Sequence, residues 1–363
     1  MIGIRARVMV IGLVSGLAMG CAGGPGGGGG ASPGPVVDAQ GGEGLALSKS
    51  QMRERAIGVL SELAFDSEPE VRANAIEALQ AVPTRVEPIV RASLQDSNVG
   101  VRYAAAMTVG QLQLRDTTAL VRPLLDDPSV VVRCAAIFAL HRNGVRHDLT
   151  PIADMLNGRD FSSASMGAFM LGELGDASAA PMLRSAAKRS HFDHPDARNM
   201  QLSIAEALYK LGDPAAGDVI RAAIYPNTVQ GFEQAALAAQ IIGEVGDESA
   251  VAQLIRIVER TRSGAAQATG PDDYLYPAEL RLAASAALAR LGYPDGWYVG
   301  ERYRTDPSPA LRAQAAHTLG RTGLGRDVAA LNGMLGDPDK RVRVAAAGGI
   351  LNAIERPTAP KPR

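Results

Sequence analysis

Two histidines and two aspartates fall within six residues at His191-Phe192-Asp193-His194-Pro195-Asp196. Imidazole nitrogen and carboxylate oxygen form a donor set that holds divalent metals. The spacing matches no established metal motif, so a solvated loop is the favoured reading. His191, Asp193 and His194 stay weak metal candidates, and no cofactor is expected. A second constellation is aromatic. Trp297 is the single tryptophan, and five of the eight tyrosines lie between residues 274 and 303. Tyrosine and tryptophan beside arginine build the hot spots of protein interfaces. Tyr274, Tyr276, Trp297, Tyr298 and Tyr303 are therefore the partner-binding candidates. Packing around a long insertion is the competing reading, and the favoured one.

A third series is charged: Arg72, Arg102, Arg133, Arg281, Arg312 and Arg343 recur in one sequence context. Read alone they could be an anion-binding stripe. Each of Arg72, Arg102, Arg133, Arg312 and Arg343 follows an aspartate six positions earlier: Asp66, Asp96, Asp127, Asp306 and Asp337. Six residues is not a same-face spacing on a helix, so pairing within one helix is disfavoured. The arginine is expected to reach the aspartate or a carbonyl of a neighbouring copy, giving a structural ladder. Cys134 sits among alanines and reads as a small buried hydrophobe.

What positions these residues is a repeat. DSEPEVRANAIEAL at Asp66, DSNVGVRYAAAMTV at Asp96, DPSVVVRCAAIFAL at Asp127, DPSPALRAQAAHTL at Asp306 and DPDKRVRVAAAGGI at Asp337 share one wording. The apolar places five, nine and thirteen after the aspartate lie on one face of a helix. The aspartate is expected to cap that helix, with Pro128, Pro307 and Pro338 at its first position. The last aliphatic place marks nine copies: Leu79, Val109, Leu140, Leu171, Leu208, Ile242, Leu288, Leu319 and Ile350. Each is preceded by a shorter apolar helix, such as residues 86–94, 119–125, 148–156, 249–258 and 327–335.

The D-x4-[VL]-R-x2-A wording resembles the short HEAT-like repeat named from phycobilisome (PBS) lyases. The resemblance spans roughly residues 50–355. It implies an all-α, right-handed α-solenoid of about nine HEAT-like helix pairs. The expected shape is a curved rod with an extended concave surface. The helix around 49–63 starts the stack, with Arg53 and Glu54 in a capping role. The central units lose the pattern: Gly158, Pro195 and Val229 stand at the aspartate places, and Ala164, Gln201 and Ala235 at the arginine places. Insertions near 189–198, 225–231 and 261–277 fall in the same region and point to it as functional, although plain divergence is the simpler reading.

Residues 1–21 read as an export signal peptide. Arg5 and Arg7 precede the apolar run 8–19, which is short for a membrane span. Leu17-Ala-Met-Gly-Cys21 resembles a bacterial lipoprotein signal. That resemblance implies lipidation of Cys21, removal of the preceding residues, and a membrane anchor at the cell envelope on the periplasmic side. Residues 22–46 are a Gly/Pro-rich flexible linker, 47–355 the repeat body, and 356–363 a disordered tail.

A formal charge of −1 argues against a nucleic-acid surface. There is no His-Glu dipeptide, Gly-x-Ser-x-Gly turn or phosphate loop. The expected function is a non-catalytic, envelope-anchored scaffold or adaptor that binds a protein or envelope polymer. The alternative is an enzyme or enzyme-assembly factor, PBS-lyase-like or metal-dependent, with its site in the central repeats.

Overall fold

The computed structural model describes residues 48–189, 195–226, 231–262, 273–323 and 325–355. Within them lie eighteen α-helices, arranged as nine successive pairs. The first helices of the pairs are α1 (Lys49–Leu63), α3 (Pro83–Ser93), α5 (Thr118–Val121), α7 (Thr150–Asn157), α9 (Ala180–Arg189), α11 (Ala215–Ala223), α13 (Val251–Glu259), α15 (Trp297–Tyr303) and α17 (Gly325–Met334). The second helices are α2 (Pro69–Leu79), α4 (Val99–Leu112), α6 (Val130–Arg142), α8 (Phe161–Leu174), α10 (Pro195–Lys210), α12 (Phe232–Val245), α14 (Ala278–Arg290), α16 (Pro309–Thr322) and α18 (Lys340–Glu355). The α-solenoid of nine helix pairs is the fold implied by the repeat wording. In the third unit Pro123 removes a backbone donor, and the chain turns from α5 into a 3-10 helix, Arg122–Asp126.

The two helices of a pair bury themselves differently. First helices carry one apolar stripe, such as Val86, Ile89 and Val90 in α3 or Leu254, Ile257 and Val258 in α13. Second helices are alanine-rich and enclosed on nearly every side; in α14 each residue from Leu280 to Ala289 is buried. All nine aliphatic markers are buried. Small residues let successive second helices approach closely. A Cβ on Gly172 would lie 2.8 Å from the Cα of Ala207 in the next unit, and one on Gly320 only 2.2 Å from the Cα of Gly349. The position four after the marker takes a left-handed backbone from the second unit to the eighth. It is glycine in all but one of those units, the exception being Gln113 at φ 53°.

Two expectations need correction. The repeat aspartates do not cap their helices. Each stands three residues ahead of the helix, and its Oδ1 accepts the N–H two residues on: Glu68 to Asp66 at 2.9 Å, Asn98 to Asp96 at 2.8 Å, Ser129 to Asp127 at 2.8 Å. This Asx turn aims the other carboxylate oxygen sideways, which an N-cap could not do.

The stack is also not an open rod, because its ends meet. Helix α18 packs on α1 and α2. A Cβ on Gly348 would lie 3.1 Å from that of Ala78. Lys340 Nζ reaches Asp66 Oδ1 and Glu68 Oε1, each at 2.9 Å. Arg55 Nη1 donates to Asn332 Oδ1 at 3.1 Å. Arg53 crosses this closure to pair with Glu355 instead of capping a free end, while Glu54 pairs with Arg53 and, at 2.9 Å, with Arg85 of the second unit.

Candidate functional site

The arginine ladder forms in three places and is interrupted elsewhere. Arg72 grips Asp96 through Nε–Oδ2 (2.9 Å) and Nη2–Oδ1 (2.7 Å). Arg102 grips Asp127 in the same way at 2.7 and 3.0 Å, and Arg312 grips Asp337 at 2.8 and 2.8 Å. The remaining nitrogen of each arginine turns back to the carbonyl of its own unit's aspartate, for example Arg72 Nη1 to Asp66 O at 2.8 Å. Each rung therefore joins two units and satisfies a loop carbonyl. The Arg102 guanidinium holds the Asp127 carboxyl below its ordinary range. Partial burial pushes Asp96 upward, but Arg72 and the Asn98 N–H outweigh it and the net direction is down.

Where the next aspartate is missing the rung changes. Arg133 faces the unit with Gly158 in that place, and keeps only main-chain bonds, to Asp127 O at 2.6 Å and Pro128 O at 3.1 Å. Arg343 stands last, and the aspartate it would take, Asp66, is held by Lys340. Arg281 does not reach Asp306. It is 1% exposed, donates Nε to Val258 O at 2.9 Å, and lies 3.2 Å from the centre of the Tyr274 ring. The cause is the insertion before it: Arg262 N donates to Asp273 O at 2.7 Å and Leu275 N to Arg260 O at 2.9 Å, which folds Tyr274 over the guanidinium.

A second ladder, on the outer rim of the central units, was missed. Arg184 of α9 holds Asp213 at 2.9 Å, and Arg221 of α11 holds Asp247. Its signal was in the sequence: Gly175-Asp176, Gly212-Asp213 and Gly246-Asp247 recur four and five places after the marker.

The aromatic candidates divide. Tyr303 is a core residue, 7% exposed, so it is packing and not a contact surface. Tyr276 and Tyr298 are half-buried against the core, and burial pushes the Tyr298 phenol up. Trp297 differs. Its ring lies beneath the Arg326 guanidinium, 3.4 Å from the ring centre, in a cleft of about 590 Å³ between α15 and α17. Glu301, Arg304, Ala329, Ala330 and Gly333 complete the lining.

Cys134 is fully buried beside Pro151 O (3.4 Å), and burial pushes its thiol up to about 11, which makes it inert. Among the described residues no three His, Cys, Asp or Glu side chains converge as metal ligands. His191, Asp193 and His194, and the lipidation candidate Cys21, lie outside the described residues. No helix among the described residues is long and apolar enough to cross a membrane.

Comparison with known proteins gives a family. The model of HEAT repeats matches residues 57–141, 86–163 and 276–351, just over half of the chain. The model of the PBS lyase HEAT-like repeat matches residues 200–225. No curated protein matches. Similar solved structures include the complex of CpcE and CpcF of phycocyanin lyase from Nostoc sp. PCC7120, at 16% identity and TM-score 0.40, covering 80% of this chain and 98% of that one. An engineered protein matches at 15% identity and TM-score 0.32, covering 84% and 94%. Human deoxyhypusine hydroxylase in complex with glycerol matches at 17% identity and TM-score 0.34, covering 73% and 94%.

Proposed function

This chain belongs to the HEAT-repeat family, and from that premise we propose that it is a non-catalytic scaffold that seats a protein partner on the outer face of its last two units. The observation that carries this reading is Trp297. It is half-exposed at the wall of a cleft, stacked under Arg326 and flanked by Arg304, in a chain with no other tryptophan. A large, rigid, partly desolvated aromatic beside guanidinium groups is the kind of surface on which binding energy concentrates. The flanking cations have neighbours: Arg304 pairs with Glu301 at 2.6 Å and Arg326 lies 3.4 Å from Asp327. The pocket can thus take an apolar or carbonyl-rich anchor from the partner.

The place of action in this reading is the bacterial cell envelope, with the ring held by lipid on Cys21 and a soft linker over residues 22–46. What supports it is the apolar run, the Leu-Ala-Met-Gly-Cys wording and the Gly/Pro-rich stretch behind it. Replacing Cys21 with Ser should move the protein from the membrane to the soluble fraction. For the docking surface, cross-linking in intact cells should recover one dominant partner with the wild type and lose it with Trp297→Ala at unchanged expression. Equal recovery from both would remove the cleft from consideration.

A second reading has one observation in its favour. The PBS lyase HEAT-like match falls on residues 200–225, in the irregular middle of the chain. It would make the protein an enzyme or enzyme-assembly factor. Stoichiometric metal on the purified protein, lost with His191→Ala and His194→Ala, would favour it over the scaffold.

A further inference from the structure

Closure gives the ring an inner wall, and the repeat register says which residues line it. In the eighth unit the aliphatic marker faces outward, where Leu319 abuts Gly300 of α15, and the shared register carries this direction to the other second helices. The residues one after the marker meet those one before the next marker, as Gly172 meets Ala207 and Gly243 meets Ala287. At about 100° per residue, the places two before and two after the marker then point toward the ring axis. Around the ring from the third to the eighth unit these places carry Arg142, then Glu173, then Glu206 with Lys210, then Glu244, then Arg290, then His317 with Arg321. The pattern has no counterpart in the repeat wording, and nothing in the outer cleft uses it.

For most of this arc the charges alternate and neutralise one another. Lys210 Nζ lies 2.6 Å from Glu173 Oε1 and 2.6 Å from Glu206 Oε1. Arg290 stands 3.8 Å from Glu244 and donates Nε to Gly243 O at 3.0 Å. The alternation breaks at the eighth unit, where Arg321 follows Arg290. Arg321 Nε is shut off from solvent with no hydrogen-bond partner. From α18 the corresponding place is Asn352, which carries no charge. His317, one turn before Arg321 on the same helix, faces Arg321 and Arg290 and is half-buried. A buried guanidinium donor without an acceptor, with a second cation beside it, marks a place where an acceptor belongs.

We propose that the inner wall of the seventh and eighth units is an oxyanion site, in which Arg290 and Arg321 grip a phosphate or carboxylate group and His317 donates a further hydrogen bond. The electrostatics agree with the geometry. Burial, then Arg321 and Arg290, hold the His317 imidazole down at about 3; burial with Arg290 brings the Arg321 guanidinium down to about 9, and the Glu244 carboxylate offsets only part of this. An anion between the two arginines relieves both.

The test uses the full chain and the imidazole resonances of its histidines, with His317→Asn to assign the one of interest. Inorganic phosphate, succinate and chloride are added separately at constant ionic strength. The expected result is a saturable shift of the His317 resonance with phosphate or succinate and none with chloride. The His317 titration midpoint should rise by about one pH unit or more in the bound state. Arg321→Gln and Arg290→Gln should each weaken binding at least about ten-fold. A response to phosphate alone identifies a tetrahedral site, and one to succinate alone a carboxylate site. An equal response to chloride, no response up to about 10 mM of either oxyanion, or undiminished binding in both folded variants overturns the proposal. If Arg321→Gln fails to fold, Arg290→Gln and the wild-type histidine titration still decide it.

Discussion

Lys340 Nζ lies 2.9 Å from Asp66 Oδ1, so an ion pair joins residues 274 positions apart and links the ninth unit to the first. Asp66 is held below the ordinary carboxylate range, first by the Glu68 N–H and then by Lys340. The pair is half-exposed, so it locates the seam more than it holds it; the burial of α18 against α1 and α2 is what binds.

A cross-link tests the seam. In a Cys21→Ser background, Ala78→Cys with Gly348→Cys places two thiols across it, at a Cβ separation of 3.1 Å that needs only a small relaxation to reach disulfide geometry. Oxidation should give an intramolecular bond, read as faster migration on a denaturing, non-reducing gel. A free-thiol assay on the denatured chain that still finds three thiols after oxidation, Cys134 among them, would show an open ring.

The rungs should carry measurable stability. Arg312 and Asp337 are 14% and 10% exposed in their side chains, well below a surface pair. Arg312→Met leaves the carboxylate half-buried without its partner and should cost about 2–4 kcal/mol. Replacing Asp337 as well, with Leu, should return part of the loss, measured as urea midpoints. The pH dependence has a definite sign. Burial pushes the Asp337 carboxyl up, but Arg312 and the Asp339 N–H outweigh it and leave it below 3.8. The unfolded chain then binds protons first, so the rung's contribution is full above 3.8 and is lost as pH falls through the folded value.

Lys210 should behave in the opposite direction. Burial opposes its charge, but Glu206 and Glu173 outweigh that and raise its pKa. Both carboxylates are 1% exposed, so Lys210→Met leaves two buried anions and should cost about 3–5 kcal/mol at neutral pH. Their pKa values in the variant rise above the unfolded ones. The folded variant therefore gains protons as pH falls, and its deficit against wild type should narrow between about pH 7 and 4. A deficit constant over that window would mean that the lysine contributes packing alone.

Gly320→Ala separates helix propensity from packing. Alanine is favoured over glycine by about 1 kcal/mol inside a helix. Here its Cβ would sit 2.2 Å from the Cα of Gly349, a backbone atom with no rotamer to yield. The variant should lose several degrees of melting temperature despite the better propensity. A rise would show that α16 and α18 can separate freely.

Much of this architecture is legible from the chain because the repeat wording binds position to role. All nine aliphatic markers read from the sequence are buried in second helices, and the arginine–aspartate rungs run between copies. What escaped reading depends on sums and exceptions. An N-cap and an Asx turn use the same residue type and differ only in where the helix begins, so Asp66, Asp96 and Asp127 misled. Closure accumulates from small rotations at each interface, and no local pattern records their total. Arg281 kept the ladder spelling but was captured by Tyr274, which the preceding insertion carries in. The alternating charges of the inner wall were hidden because their places lie between the apolar ones that define the repeat.

A solenoid with free ends can gain or lose a copy without disturbing the others. A circle cannot: a tenth pair would have to open every interface or force the seam apart. Extra length in a closed stack can be taken up in the connections within each copy. The steps of 37, 34 and 46 residues between markers from Leu171 to Leu288, set against 30 or 31 elsewhere, show where this chain carries its extra length without adding a pair to the circle.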